Sequence, residues 1–178
     1  PVRQYLEALT WDQVERVPAW LSTYLGVASS TYAWTVGRLW LLSAVKRILQ
    51  PGCQADHLLI LEGPQGAGKS QAIRLLAGDW YLGTLPDLRS KDAAHAVAGH
   101  WIVEIGELDA FKGSAGTRVK DWVTQTVDTY RPAYGRSAIR QPRACVFVGT
   151  TNEQHYLRDV TGARRFWPVT TGRIDTPA

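Results

Sequence analysis

Eight consecutive residues constrain this chain more than any others: Gly63-Pro64-Gln65-Gly66-Ala67-Gly68-Lys69-Ser70, which satisfies G-x-x-x-x-G-K-[ST] in full. The flanks agree. His57-Leu58-Leu59-Ile60-Leu61-Glu62 is a short apolar run of the kind that forms a buried parallel strand, and 70–76 reads as the helix after it. Glycines in such a turn let successive amides point inward at phosphate oxygens. The helix adds its positive N-terminal end at the same spot. Lys69 brings a mobile charge for the β- and γ-phosphates, and the Ser70 hydroxyl is a ligand for Mg²⁺. With Gln71, the next residue of the helix, Gly63 to Gln71 form the expected nucleotide-binding set, and ATP and Mg²⁺ the expected cofactors. A chance glycine-rich turn is the bland alternative, and it leaves the completeness of the pattern unexplained.

The rest of the chain reads as an α/β protein. Residues 1–50 carry helical spacing: Tyr5, Leu6 and Leu9, then Trp20, Leu21, Tyr24 and Leu25, then Val36, Leu39, Trp40, Ala44, Val45 and Ile48, with Pro51-Gly52 as the stop. A helical lid or collar over 1–54 and a core over 55–178 follow. Further strands are expected at 101–104, 144–149 and 165–170, with helices near 90–98 and 117–127. Alternation of this kind implies a parallel sheet flanked by helices. At 178 residues, 45% hydrophobic and 20% charged, the chain fits one globular core. No apolar run approaches the roughly 20 residues that cross a bilayer, and no signal-peptide pattern opens the chain, so a cytoplasmic setting without membrane contact is expected. Cys53 and Cys145 lie far apart, outside any CxxC pair, and are expected as reduced thiols. The four histidines lack metal-ligand spacing.

Hydrolysis needs a carboxylate in the magnesium shell and another to orient water. The strand Trp101-Ile102-Val103-Glu104-Ile105-Gly106-Glu107-Leu108-Asp109 offers them unusually. If Glu107 holds the usual glutamate position, the usual aspartate position is Gly106. Glu104 lies two residues earlier and points the same way on a strand. Glu104 is therefore expected at the metal shell and Glu107 at the water; a structural ion pair is the alternative for Glu104. Asp109 reads as a solvated loop acid. Val146-Phe147-Val148-Gly149-Thr150-Thr151-Asn152 runs a buried strand into polar residues, which places the Asn152 amide to sense a γ-phosphate or to end a turn. Arg164 and Arg165, adjacent on a strand, would face opposite ways, and one of them could reach a neighbour's nucleotide as an arginine finger. Solvation plus a salt bridge is the alternative for that pair.

Arg131, Arg136, Arg140 and Arg143 span a segment without an acid, interleaved with Tyr130 and Tyr134. Arginine pairs with phosphates and tyrosine stacks on exposed bases, so Arg131, Tyr134, Arg136 and Arg140 are candidate contacts to single-stranded nucleic acid. A solvated loop with aromatics packed on the core is the alternative. The net charge of +4 is only mildly basic and decides nothing by itself.

Several segments together resemble the virulence-associated protein E family, found in prophages and mobile islands, whose core resembles the AAA+-like superfamily 3 helicases. They are Tyr5-Leu6-Glu7-Ala8-Leu9-Thr10-Trp11-Asp12, the 45–53 approach to the glycine-rich turn, 101–108, Asp128-Thr129-Tyr130-Arg131-Pro132-Ala133-Tyr134-Gly135-Arg136 and Gly162-Ala163-Arg164-Arg165-Phe166-Trp167-Pro168. The resemblance implies a P-loop ATPase forming a homo-oligomeric ring, such as a hexamer, with ATP at subunit interfaces. It implies Asn152 as sensor, Arg164 or Arg165 as the finger in trans, and a basic hairpin between the acidic strand and the sensor strand. The expected function is an ATP-dependent nucleic-acid motor, a DNA helicase domain in replication of a phage or mobile element. The alternative is an ATP-binding switch or initiator that assembles on replication proteins without unwinding; a small-molecule kinase would leave the Tyr-Arg segment unexplained.

Overall fold

The computed structural model describes residues 1–83, 85, 87–88, 90–106, 114–132, 136–152 and 163–174. Three helices come first: α1 (Val2–Ala8), α2 (Trp20–Leu25) and α3 (Thr31–Leu49). Ser30 caps α3, its hydroxyl accepting from the Ala33 amide at 3.1 Å, and Lys46 and Arg47 sit in the last turn where the helix dipole favours cations. Strand β1 (Leu58–Glu62) then leads into α4 (Lys69–Ala77). After them come β2 (Tyr81–Leu82), α5 (Lys91–Ala96), β3 (Ile102–Ile105), α6 (Ser114–Val123), the β4–β5 pair (Val127–Tyr130 and Ile139–Pro142), β6 (Val146–Thr151) and β7 (Phe166–Thr170).

Five strands form one sheet in the order β2-β3-β6-β1-β7, and every neighbouring pair is parallel. Strand alternation divides its side chains between two layers. Leu59 and Leu61 of β1, Ile102 of β3 and Val146 and Val148 of β6 face the core shared with α1–α4. Leu58, Ile60, Val103, Ile105 and Phe147 face the core shared with α5 and α6. Leu58 to Leu61 have no exposed surface, which is why β1 reads as a continuous apolar run. Burial of such side chains contributes roughly 2 kcal/mol each.

The N-terminal helices belong to the first of those cores. Trp40 donates its indole N–H to the Phe147 carbonyl at 2.8 Å, and Trp101 donates to the Ala44 carbonyl at 2.9 Å, fastening α3 across the sheet. Leu21, Leu25, Val36, Trp40, Ala44 and Ile48 are buried as the helical spacing predicts. Leu9, Tyr24 and Leu39, placed on the same faces by that spacing, are instead exposed, and Arg47 is fully buried. Cys53 and Cys145 are both free thiols.

The antiparallel β4–β5 hairpin lies between β3 and β6 in sequence and pairs Thr129 with Arg140. Residue patterning predicts no strand there, because its alternation is short and polar; the family resemblance does imply a hairpin at this point. Other boundaries shift little. Helix α6 ends at Val123 rather than 127, and β6 begins at Val146 rather than 144. Arg164 and Arg165 sit on a 3₁₀ turn (Ala163–Arg165) ahead of β7, not on the strand, so the expectation that strand alternation turns them opposite ways does not hold.

Candidate functional site

The glycine-rich turn leaves the C-terminal end of β1, which lies between β6 and β7 in the sheet. That end of a parallel sheet is where open α/β folds bind ligands. Gly66 and Gly68 hold φ of 76° and 86°, left-handed values that side-chain-bearing residues seldom adopt, and they turn the backbone over the start of α4. No side chain caps α4, so its first amides face the cavity unclaimed by a capping group. Gly63 is seated against β7's continuation: a Cβ there would lie 2.4 Å from Thr171 Oγ1. The resulting open cavity, about 400 Å³, is lined by 65–71 and by Thr150, Thr151 and Asn152.

Lys69 is nearly buried, and its ammonium folds back over the turn. It donates to the carbonyls of Gly63 at 2.7 Å and Pro64 at 2.8 Å, and to Asn152 Oδ1 at 3.3 Å. These acceptors are neutral, so an anion entering the cavity competes for the ammonium with a full charge. Asn152 is thus brought to the lysine and to the cavity edge, as its place at the tip of β6 predicts.

Beneath the turn lies a buried carboxylate. Glu104 is 4% exposed and makes no contact with a cation among the described residues. Hydroxyls replace its water: Ser70 Oγ and Thr150 Oγ1 each donate to Oε1 at 2.7 Å, and the Tyr81 phenol donates to Oε2. The ion pair considered as an alternative for Glu104 is not what satisfies it here. Glu104 sits one pleat before Gly106, and the extra methylene of glutamate carries its carboxylate to the first turn of α4. Among the described residues no three histidine, cysteine or acidic side chains cluster, and those that could hold a divalent ion at this cavity, together with oxygens of a ligand and water, are Ser70 and Glu104. That donor set, all oxygen with one carboxylate, fits Mg²⁺. Glu107 and Asp109 lie outside the described residues.

Tyr81 is the site residue that motif reading misses. It pairs with Ile102, two residues before Glu104 on the same face, a rise of about 7 Å that a tyrosine side chain spans. Burial, and then the neighbouring Glu104, push its phenol well above the ordinary value, so it remains a proton donor. Nothing local marks Tyr81; only the β2–β3 pairing brings it to the carboxylate.

The hairpin holds the basic segment. Arg131, Arg136 and Arg140 are exposed, and Tyr134 lies outside the described residues. Tyr130 is half-buried, donating to Gln141 Oε1 at 2.7 Å with His95 edge-on at 5.2 Å. Arg143, the fourth arginine of that segment and not one of the candidate contacts, is turned inward. It is 1% exposed, bound through Nε to Asp128 Oδ2 at 2.8 Å and through Nη2 to Oδ1, with a further bond to the Trp122 carbonyl. Its guanidinium stacks 4.5 Å from the Trp122 ring. Its role is in the core at the hairpin's foot.

Arg164 is exposed, and Arg165 lies 4.0 Å from Asp121 at the limit of an ion pair. The register Leu58↔Phe166 places both arginines beside the start of β1, whereas the glycine-rich turn follows its end. At least about 13 Å of strand separates them. Neither arginine is brought to the cavity of its own chain.

Fold and site together define a parallel α/β domain with an open cavity over a glycine-rich turn and a buried, hydroxyl-ringed carboxylate. Residues 6–178 match the virulence-associated protein E-like domain. The chain belongs to that family. Two solved structures with similar folds are of the NrS-1 C-terminal region. One, the A form apo structure of residues 305–718, has TM-score 0.63 at 18% identity over 92% of this chain. The other A form apo structure has TM-score 0.58 at 19% identity over 82% of this chain. This chain spans 38% and 34% of those chains. No curated protein matches the sequence. No helix among the described residues is long and apolar enough to cross a membrane.

Proposed function

We propose that this chain is a Mg²⁺-dependent ATPase domain of the P-loop class, of AAA+ and superfamily 3 helicase type, that drives a nucleic-acid motor in the replication of a phage or mobile element. The observation that carries the reading is the Lys69 ammonium, parked on neutral carbonyls above an uncapped helix N-terminus, with Ser70 bonded to buried Glu104 directly below. Amides of 65–70 and the lysine would hold the triphosphate. Mg²⁺ would neutralise charge on the β- and γ-oxygens. Glu104 accepts the Ser70 hydroxyl's hydrogen bond, which would leave that oxygen's lone pairs free for the metal. Asn152, which lines the cavity beside Lys69, is the proposed sensor of the γ-phosphate, and Glu107 is the proposed residue for orienting water.

The placement of the arginines supports the proposed ring. Arg164 and Arg165 lie at the far end of the sheet from the cradle, so a finger role for either requires a second copy. The strand order, with a hairpin inserted between β3 and β6, supports the same type, and the exposed Arg131, Arg136 and Arg140 on that hairpin are the proposed contacts to single-stranded DNA. ATPase measured against protein concentration tests this. Turnover per chain should rise as interfaces form and rise again with single strands, and Lys69→Ala should abolish it. Nucleotide binding without turnover at every concentration would favour a switch or initiator instead.

A further inference from the structure

We propose that Tyr81 is a positioning residue for the Glu104 carboxylate, its phenol holding Oε2 so that Oε1 stays turned to Ser70. The inference rests on the nucleotide-and-metal reading above and adds a residue to it. The two carboxylate oxygens are unequally held. Oε1 accepts from both Ser70 and Thr150 at 2.7 Å, while Oε2 accepts from Tyr81. The terminal torsion of a glutamate is broad and two-fold, so two hydroxyls on one oxygen leave the carboxylate plane loosely defined. A donor on the second oxygen defines it.

The ring is itself fixed. A Cβ at Gly83 would come within 2.7 Å of Tyr81 Cε1 and 2.8 Å of its oxygen, so the chain seats the ring by omitting a side chain two residues on. Packing alone would be met by phenylalanine; the hydroxyl is spent on Glu104. Through Glu104 the phenol acts on Ser70, whose proton must go to Oε1 if its lone pairs are to face a metal. Tyr81 touches neither nucleotide nor metal in this scheme. Partners of that kind, one step behind a ligating group, typically change metal affinity by about 10- to 100-fold when removed.

The test reads binding rather than turnover. A fluorescent, non-hydrolysable ATP analogue is titrated into the protein with EDTA and then with increasing Mg²⁺. In the parent, Mg²⁺ should tighten the analogue's binding. Tyr81→Phe should keep the metal-free affinity, melt a few degrees lower because the buried Oε2 loses its donor, and lose roughly tenfold of the gain that Mg²⁺ confers. In a Glu104→Asp background, where the shortened carboxylate withdraws from the phenol, adding Tyr81→Phe should cost nothing more. An unchanged Mg²⁺ gain in Tyr81→Phe, or full additivity with Glu104→Asp, overturns the proposal. Lys69→Ala serves as the separate arm. If it retains the parent's metal-free affinity, the nucleotide reading itself fails, whatever Tyr81 does.

Discussion

Replacing Asp128 with alanine strands one of the most deeply buried charges in the molecule. Arg143 is 1% exposed and Asp128 5%, and Asp128 is the only carboxylate that Arg143 touches among the described residues. A second guanidinium, that of fully buried Arg47, donates to the Arg143 carbonyl at 3.4 Å, so the surroundings already hold another positive group. Without Asp128 the remaining partners of Arg143 are the Trp122 carbonyl, the Gln125 amide oxygen at 3.2 Å and two aromatic faces, none of them charged. Removing one member of such a pair costs about 3–5 kcal/mol, mostly the desolvation of the ion left behind. For a chain of this size that corresponds to a melting temperature lower by roughly 6–20 °C. Thermal and urea melts followed by tryptophan fluorescence measure it, Trp122 lying against the guanidinium. Asp128→Ala with Arg143→Met removes both charges and should recover most of the loss, since an apolar pair of similar volume is often neutral. A single-mutant cost below about 1 kcal/mol, the range of exposed pairs, or a double mutant worse than the sum of the singles, would refute the argument.

Replacing Arg131 and Arg136 together with alanine should weaken single-strand binding and reduce the slope of log K against log salt by about 1.4 if each neutralises one phosphate; binding unchanged at low salt would dismiss the hairpin as the contact surface. Mixing Lys69→Ala chains with chains carrying Arg164→Ala and Arg165→Ala, each inactive alone, should restore part of the ATPase, because a mixed ring contains interfaces with an intact cradle on one side and intact arginines on the other. No recovery at any ratio would contradict action in trans. Asp12 is held down from 3.8 to about 2 by its hydrogen bonds to the Arg16 guanidinium at 2.7 and 2.8 Å and to the Val14 amide. A depressed carboxylate pKa gives support that is present above the unfolded value and lost as pH falls through the folded one. Trp11 emission should therefore change between about pH 4 and pH 2 in the parent and not in Asp12→Asn. Burial pushes the Cys145 thiol up to about 12, so at pH 8 a thiol reagent should modify Cys53 in the native protein and reach Cys145 only after unfolding.

The elements most legible from residues alone were those whose signal is local. The strand-turn-helix around Gly63 to Ser70 carries its own glycines and its own apolar run; β3 and β6 are buried along their length and β7 sends Phe166 and Val169 into the core, so each reads as a largely apolar run. Glu104 was legible because strand alternation fixes which way it points. What lay out of reach depends on pairing across the chain. Strand β2 is two residues long and exists through β3, so Tyr81 carries no mark of its proximity to Glu104, 23 positions away. Arg143 looked like one more cation in a basic run, since charge in a sequence does not reveal that Asp128, Trp122 and Phe147 converge on it. The exposure of Leu39 on α3 shows the converse limit: helical spacing names a face, but the width of the buried stripe is set by what packs there.

Strand β6 begins at Val146, three residues past Arg143, and finishes at Thr151, next to Asn152. All six of its residues are buried, and it is flanked by β3 along one side and β1 along the other. Between them the two neighbours pair with every residue of this strand, roughly 17 Å in length. The chain leaving the foot of the arginine-bearing hairpin therefore enters one continuous buried strand whose far end carries the hydroxyl and amide that meet Glu104 and Lys69.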